Sequence, residues 1–379
     1  MPDQAKQKTN TGPLSNIKVV EFAGVGPAPL GAMMLADLGA TVLRIERPHS
    51  SGLGLDQPPE FDFSLRGRNT VQLDLKAPRD VAIASDLIAK ADVLIEGFRP
   101  GVMERLGLGP EVCMARNQRI IFARMTGWGQ DGPLSHTAGH DLNYISITGG
   151  LAMIGRHNQP PTPPMNLVGD FGGGTMPMVI GILAALNDVA RSGKGQIVDA
   201  NIVDGTLSLL NMFFGMRAQG TWNKERGTNI LDSGAPFYDV YPCADGKFIA
   251  LAAIEDKFFA LFLQIAQLPE ALIALKQDPE NWPQLRAAIV DCFSRKTRDE
   301  WAAIFEGSDA CVSPVLDMDE AIAHPHLSAR DAFIEIDGHK QPAPVPRFSR
   351  TQPSVSHPSG KPTPHDKETV LSWWADLTP

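Results

Sequence analysis

Along the N-terminal part of the chain, short β-branched runs alternate with segments whose apolar residues recur at helical spacing. Residues 17–22 read as a strand, followed by the loop Ala23-Gly-Val-Gly-Pro-Ala-Pro29, a helix over 30–38 stopped by Gly39, and a second strand over 40–45. Further strands are expected at 93–96 and 120–125, separated by a helical pattern over 78–90. Strand, helix and strand in alternation predict an α/β fold, a Rossmann-like parallel sheet covered by helices. A long apolar segment, 176–190, reads as a buried helix. From Gly234 the texture changes. Two β-rich runs meet at Asp245-Gly246, a hairpin signal, and helices at 256–268, 283–294 and 298–307 lead to a strand at 312–316.

This pattern divides the chain into a large α/β domain over 1–210, completed by a C-terminal return over 342–379, and a smaller α+β domain over 232–330. Residues 211–231 and 331–341 are the expected connections. The Pro-rich stretch 341–364 reads as an extended wrap with apolar anchors such as Val345 and Phe348.

Composition narrows the function. The 379 residues are 43% hydrophobic and 20% charged, enough for two cores, and a net charge of -9 argues against general nucleic-acid or anionic-membrane binding. Cys113, Cys243, Cys292 and Cys311 form no CxxC pair, so neither a zinc site nor a disulfide framework is indicated. Residues 1–10 lack the apolar core of a signal peptide, the apolar run 176–186 is too short for a membrane span, and the end Asp376-Leu-Thr-Pro379 carries no peroxisomal address. A cytoplasmic protein is expected.

Several motifs are excluded by their spacing. After the first strand Gly24-x-Gly26 is followed by Pro29 where a dinucleotide fingerprint needs a third glycine. Neither GxxxxGK[ST] nor GxSxG occurs.

The run Asn166-Leu-Val-Gly-Asp170-Phe-Gly172-Gly173-Gly174 places a carboxylate before three glycines and the long helix. Glycine lets the main chain approach a ligand, and the first helical turn has unpaired NH donors, so a base and an oxyanion hole can share this place. Asp170 equally reads as a simple helix cap.

The strings Gly127-Trp-Gly-Gln-Asp-Gly-Pro133, Ala138-Gly139-His140-Asp141-Leu-Asn-Tyr144, the Asp170 run, Gly193-Lys-Gly-Gln-Ile-Val-Asp-Ala200 and Ala253-Ile-Glu255 resemble the family III CoA-transferase (CaiB/BaiF-like) superfamily. Within it, the similarity is to the α-methylacyl-CoA racemase branch, and it runs from about Gly12 to Arg350. The resemblance implies that His140 and Asp170 are the two catalytic acid/bases and that Glu255 supports the histidine. Asp141, beside His140, is a further candidate, though it also suits a helix cap. Inverting a stereocentre through an enolate needs a proton acceptor on one face and a donor on the other. Backbone NH groups at Gly172, Gly173 and Gly174 are the candidate enolate stabilisers.

CoA phosphates call for cations. The resemblance points to Arg47, to Leu73, Asp74, Leu75 and Lys76, to Gly97, Phe98 and Arg99, and to Arg105, with Gly139 and Tyr144 beside the histidine; Arg44 reads as a solvated surface charge. It implies no added cofactor or metal, CoA being part of the substrate, and an interlocked homodimer whose site is shared between chains. Two departures, Asp256-Lys257-Phe-Phe in place of a Pro-Gln-Phe-Tyr type segment and the stretch 52–63, bear on acyl specificity. Two other functions remain open: a CoA-transferase in which Asp170 attacks the thioester, and a non-catalytic CoA-binding protein.

Overall fold

The structure is a computed structural model, which describes residues 11–49, 52, 54–55 and 57–377. The N-terminal decapeptide, the last two residues and part of the 52–63 stretch therefore lie outside the described residues. The chain forms two compact units. One comprises Met1–Thr148, Met165–Leu210 and Asp331–Pro379; the other comprises Gly149–Pro164 and Asn211–Arg330.

The first unit is built on β1 (Lys18–Phe22), β2 (Thr41–Glu46), β3 (Arg68–Gln72), β4 (Val93–Glu96), β5 (Ile121–Thr126) and β6 (Ile197–Asn201). Late in the chain come a hairpin, β10 (Phe333–Ile336) with β11 (His339–Pro342), and β12 (Thr363–His365). The main sheet is parallel in the order β12-β3-β2-β1-β4-β5-β6. Its central strands β1, β2, β4 and β5 are mainly apolar because helices cover both faces. Val19, Val42, Val93, Ile121 and Ala123 bury one face beneath α1 (Pro27–Asp37) and α7 (Met176–Ser192). Val20, Leu43, Val71, Leu94 and Phe122 bury the other beneath α2 (Pro78–Ala89) and α15 (Val370–Asp376). Pro27 and Pro78 each sit in the first helical turn, where a missing NH costs nothing.

After β3 the chain crosses over to β4 on the opposite side of β1, so the connections at the carboxyl ends of β1 and β4 diverge. In open α/β sheets ligands bind at such a crevice. Short helices α3 (Val102–Arg105) and α4 (Pro110–Arg116) follow β4, and α5 (Asp141–Ile147) follows β5. The helix preceding α7 is a surprise: Leu167–Thr175 is one continuous π-helix that runs directly into it. Together they form a 26-residue helix, long and apolar enough by composition to cross a bilayer and longer than the expected run 176–190. Val179, Ile182, Ala185 and Val189 bury one face of it against the sheet, as in the core helix of a globular unit. Helix α8 (Ile202–Leu209) then packs across the π turn.

The Pro-rich return is only partly extended. It starts at the end of the hairpin, lays β12 along the edge strand β3, and leads to α15, where the Trp374 indole NH donates to the Leu87 carbonyl at 3.0 Å.

The second unit contains α6 (Gly150–Met153), α9 (Asn211–Gln219), the antiparallel sheet β7 (Tyr238–Pro242), β8 (Phe248–Ala252) and β9 (Val312–Pro314), and helices α10 (Asp256–Ile265), α11 (Trp282–Phe293), α12 (Arg298–Phe305), α13 (Met318–Ala323) and α14 (Pro325–Ala329). The expected hairpin turns at Gly246, whose φ of 75° favours glycine. Its core is aromatic: Tyr241, Phe262, Phe293, Trp301 and Phe305 stack on one another at 5.5–5.9 Å between centroids. The partition differs from the expected boundaries at three places. Residues 149–164 join the second unit, 211–219 is helix rather than an extended connection, and 333–342 is a hairpin of the first unit.

Candidate active site

His140 is exposed and occupies the N-cap of α5, its backbone NH held by the Asn143 side chain at 3.1 Å. The loop before it is locked by aromatic packing. Trp128 and Tyr144 meet edge to face at 4.8 Å, and Tyr144 donates its hydroxyl to the Gly139 carbonyl. Gly127 and Gly139 are required here, since a Cβ on either would fall 2.1 and 2.7 Å from the Tyr144 ring. Gly139 and Tyr144, assigned to CoA by resemblance, thus have a documented internal role in placing His140.

Asp170 is buried in the π turn, with 7% of its surface exposed. Its Oδ2 accepts from Asn166 Nδ2 at 2.6 Å, and its backbone NH donates to Asp141 Oδ1 at 2.7 Å. A Cβ on Gly26, at the start of α1, would sit 3.4 Å from Oδ2, so the loop after β1 closes over the carboxylate. Burial pushes the Asp170 carboxyl above its ordinary range; the Asn166 bond opposes this, the Asp141 charge adds to it, and His140 pulls it back. His140 therefore lies within electrostatic reach of Asp170. Tyr144 does too: burial raises its phenol, with Asp170 adding to the effect and Arg99 opposing it. The two expected acid/base residues and one of the expected phosphate-binding cations are thereby gathered around α5.

The three glycines after Asp170 are placed differently from the sequence expectation. Gly172, Gly173 and Gly174 lie inside the π-helix rather than in the first turn of α7, where unpaired amides were expected. They are glycines for close packing. A Cβ on Gly173 would lie 2.5 Å from Thr206 Oγ1, and one on Gly205 only 1.7 Å from the Gly173 carbonyl oxygen. Asp141 is likewise not free for proton transfer in the arrangement observed: it is buried and accepts backbone NH donors from Gly169 and Asp170.

Arg47 and Arg99 are exposed, at the carboxyl ends of β2 and β4, and Arg47 lies over the Phe98 ring at 5.5 Å. Neither is in an ion pair among the described residues. Gly97 is exposed beside them, while the Phe98 NH is held by the Glu96 carboxylate at 2.7 Å. Arg105 is exposed at the end of α3. Leu73 is a correction, for its side chain is fully buried in the core; Leu75 packs against the same cluster, leaving Asp74 and Lys76 exposed. Arg44 is a second correction. It is buried and bonded to Glu21 at 2.6 Å; Glu21 also takes Arg68 at 2.8 Å, so the pattern of a surface charge conceals an ion-pair network inside the sheet. Burying those charges is tolerable because each is paired.

Glu255 belongs to the second unit, as the N-cap of α10. Lys276 holds that turn: it is buried, sits 4.8 Å from the Phe237 ring, and donates to the Ile254 carbonyl and to Asp256 Oδ1 at 2.6 Å. Gly205 and Lys276 went unmarked in the sequence, and Asn166 and Gly26 stood there only as members of glycine-rich runs, without a role at the site. Only Asn166 carried a readable signal, its i,i+4 spacing to Asp170.

A parallel sheet in this order, covered by helices and with a buried carboxylate beside its crevice, is an α/β architecture of the doubly wound kind. A CaiB/BaiF family protein from Brucella suis shares the fold, with a TM-score of 0.80 at 24% identity over 96% of this chain and all of that one. The chain belongs to CoA-transferase family III, whose pattern matches residues 14–365. It is 44% identical over 353 residues to the α-methylacyl-CoA racemase of Mus musculus, covering 93% of this chain and 90% of the relative. Against the human α-methylacyl-CoA racemase it is 42% identical over 349 residues, covering 89% of each.

Proposed function

We propose that this protein is a racemase that interconverts the 2R and 2S epimers of 2-methylacyl-CoA thioesters, with His140 and Asp170 as the two acid/base groups. The observation carrying this reading is the pairing of a histidine and a buried carboxylate, its proton affinity raised by burial, around α5, in a chain 42–44% identical to named racemases. In one direction the Asp170 carboxylate takes the α-proton, the electron pair moves onto the thioester oxygen, and the His140 imidazolium returns a proton to the opposite face. The reverse direction exchanges the roles. A carboxyl whose proton affinity is raised toward that of an imidazole lowers the mismatch between acid and base. The enolate oxygen needs a donor, and the first-turn amides of α5, at Asp141 and Leu142, have no intrahelical acceptor and lie next to His140.

Arg47 and Arg99, assisted by Arg105 and Lys76, are proposed to meet the CoA phosphates. Glu255 is proposed to orient His140 by accepting its second ring proton, in a homodimer. A second copy is supported by apolar side chains exposed in the first unit, among them Ile147, Leu167, Ile180 and Leu209 at 49–66%. No added cofactor or metal is proposed, and the protein is proposed to work in the cytoplasm.

Family III also contains CoA-transferases, in which Asp170 would attack the thioester carbonyl. Incubation of a 2-methylacyl-CoA in deuterated water, with and without an acceptor carboxylate, separates the two. The racemase incorporates deuterium at the α-carbon with no acceptor present; CoA passing to the acceptor without α-exchange would establish the transferase instead.

A further inference from the structure

We propose that Asp141 is the positioning residue that keeps the two acid/base groups in register, its carboxylate tying the start of α5 to the turn that carries Asp170. This rests on the racemase reading for its consequences in catalysis, but its geometry stands on its own. Asp141 follows His140 directly, so its Cα is fixed to the histidine by one peptide unit. Its Oδ1 accepts the Asp170 NH at 2.7 Å, and its carboxylate also takes the Gly169 NH, so the amides of the catalytic residue and of the one before it are both held. The fit is close. A Cβ on Gly169 would fall 2.2 Å from Asp141 Oδ1 and 2.8 Å from Ile145 Cγ2, so glycine is what allows the π turn to reach α5. The carboxylate is 6% exposed, and buried amides left without an acceptor are costly, so this link resists loosening.

The same group acts through its charge. The ionisable groups acting on Asp170 are Asp141 and His140, both at the start of α5, and Asp170 in turn acts on the Tyr144 phenol of that helix. Other charged groups on elements packed against the π turn have their own partners: Asp37 of α1 with Arg66, Asp188 of α7 with Arg191, and Asp204 of α8 with Asn201. Asp199 of β6 responds to Asp204, Arg124 and Asp131 rather than to Asp170. Replacing Asp141 by a neutral isostere therefore removes the one like charge that raises the proton affinity of Asp170.

Two variants separate position from charge. Asp141→Asn retains an oxygen acceptor and drops the charge; Asp141→Ala drops both. In the full-length protein with labelled aspartate carboxyls, the Asp170 resonance, assigned through Asp170→Asn, is expected to titrate at lower pH in Asp141→Asn than in wild type. In Asp141→Ala the amides of Gly169 and Asp170 are expected to lose hydrogen-exchange protection, and kcat to fall on the order of 100-fold, as for a reacting group displaced by about 1 Å, with KM for the acyl-CoA little changed. An unshifted Asp170 titration in Asp141→Asn, or full amide protection in Asp141→Ala, would overturn the proposal. Both readouts are made without substrate, so they stand even if wild-type protein fails to exchange the α-proton and the racemase reading falls.

Discussion

The tightest contact around the candidate site is between two glycine backbones, where α8 crosses the π turn. A methyl group added in Gly205→Ala would lie 1.7 Å from the Gly173 carbonyl oxygen and 2.6 Å from its carbon. The first distance is half of an ordinary C···O separation of about 3.4 Å. Neither partner is a movable side-chain end, so the helices must separate. Overpacking of this sort costs about 1–3 kcal/mol, which in a unit of this size lowers Tm by about 2–4 °C for each kcal/mol. The separation is transmitted to Asp170, three residues before Gly173 in the same turn. A displacement of about 1 Å at a reacting group costs about 100-fold in rate. Thermal melting of the purified variant and epimer interconversion of a 2-methylacyl-CoA measure both effects. Gly215→Ala in α9 is the control, since its added methyl meets nothing within 4 Å. If Gly205→Ala melted with wild type and kept its rate, the packing argument for the glycine run would be wrong.

Arg47→Met and Arg99→Met are expected to raise KM for acyl-CoA with little change in kcat, because contacts far from the reacting carbon bind ground and transition states alike; steady-state kinetics with CoA and dephospho-CoA thioesters check this, and an unchanged KM would remove both from the phosphate site. Lys276→Met should lower stability by about 1 kcal/mol or more through loss of its bond to the Ile254 carbonyl and its place beside Phe237, read as a fall in Tm; a wild-type Tm would show that the Glu255 turn stands without it. Co-expression of Asp170→Asn with Glu255→Gln tests the shared site: hybrid dimers are expected to regain activity, and hybrids as inactive as both parents would place the two residues of each site on one chain.

The sheet and its helices were legible where pattern and burial agree. Strands β1, β2, β4 and β5 are buried on both faces and read as mainly apolar runs, interrupted by Glu21, Arg44 and Arg124, and the Asp245-Gly246 hairpin announced itself by turn chemistry. β3 begins with Arg68, Asn69 and Thr70, a polar start for a buried strand, and its one charge is neutralised by Glu21 of β1, two strands away in the sheet and distant in sequence. The candidate site was legible as a set of motifs, not as a geometry. Nothing in Gly172-Gly173-Gly174 distinguishes amides offered to a ligand from backbone pressed against another helix. The second reading depends on Gly205, some thirty residues away. Arg44 misled for the same reason, its partner Glu21 lying on the adjacent strand.

The central claim is that two different groups serve the two faces of the α-carbon, and isotope wash-out from single epimers tests it most directly. Each epimer, deuterated at the α-carbon, is incubated in ordinary water with Asp170→Asn and with His140→Ala. Each variant should lose epimer interconversion by about 100-fold or more. Asp170→Asn should still release label from the epimer whose proton faces His140, and His140→Ala from the other. Equal, modest losses for both epimers in both variants would contradict the account and leave these residues a structural part only.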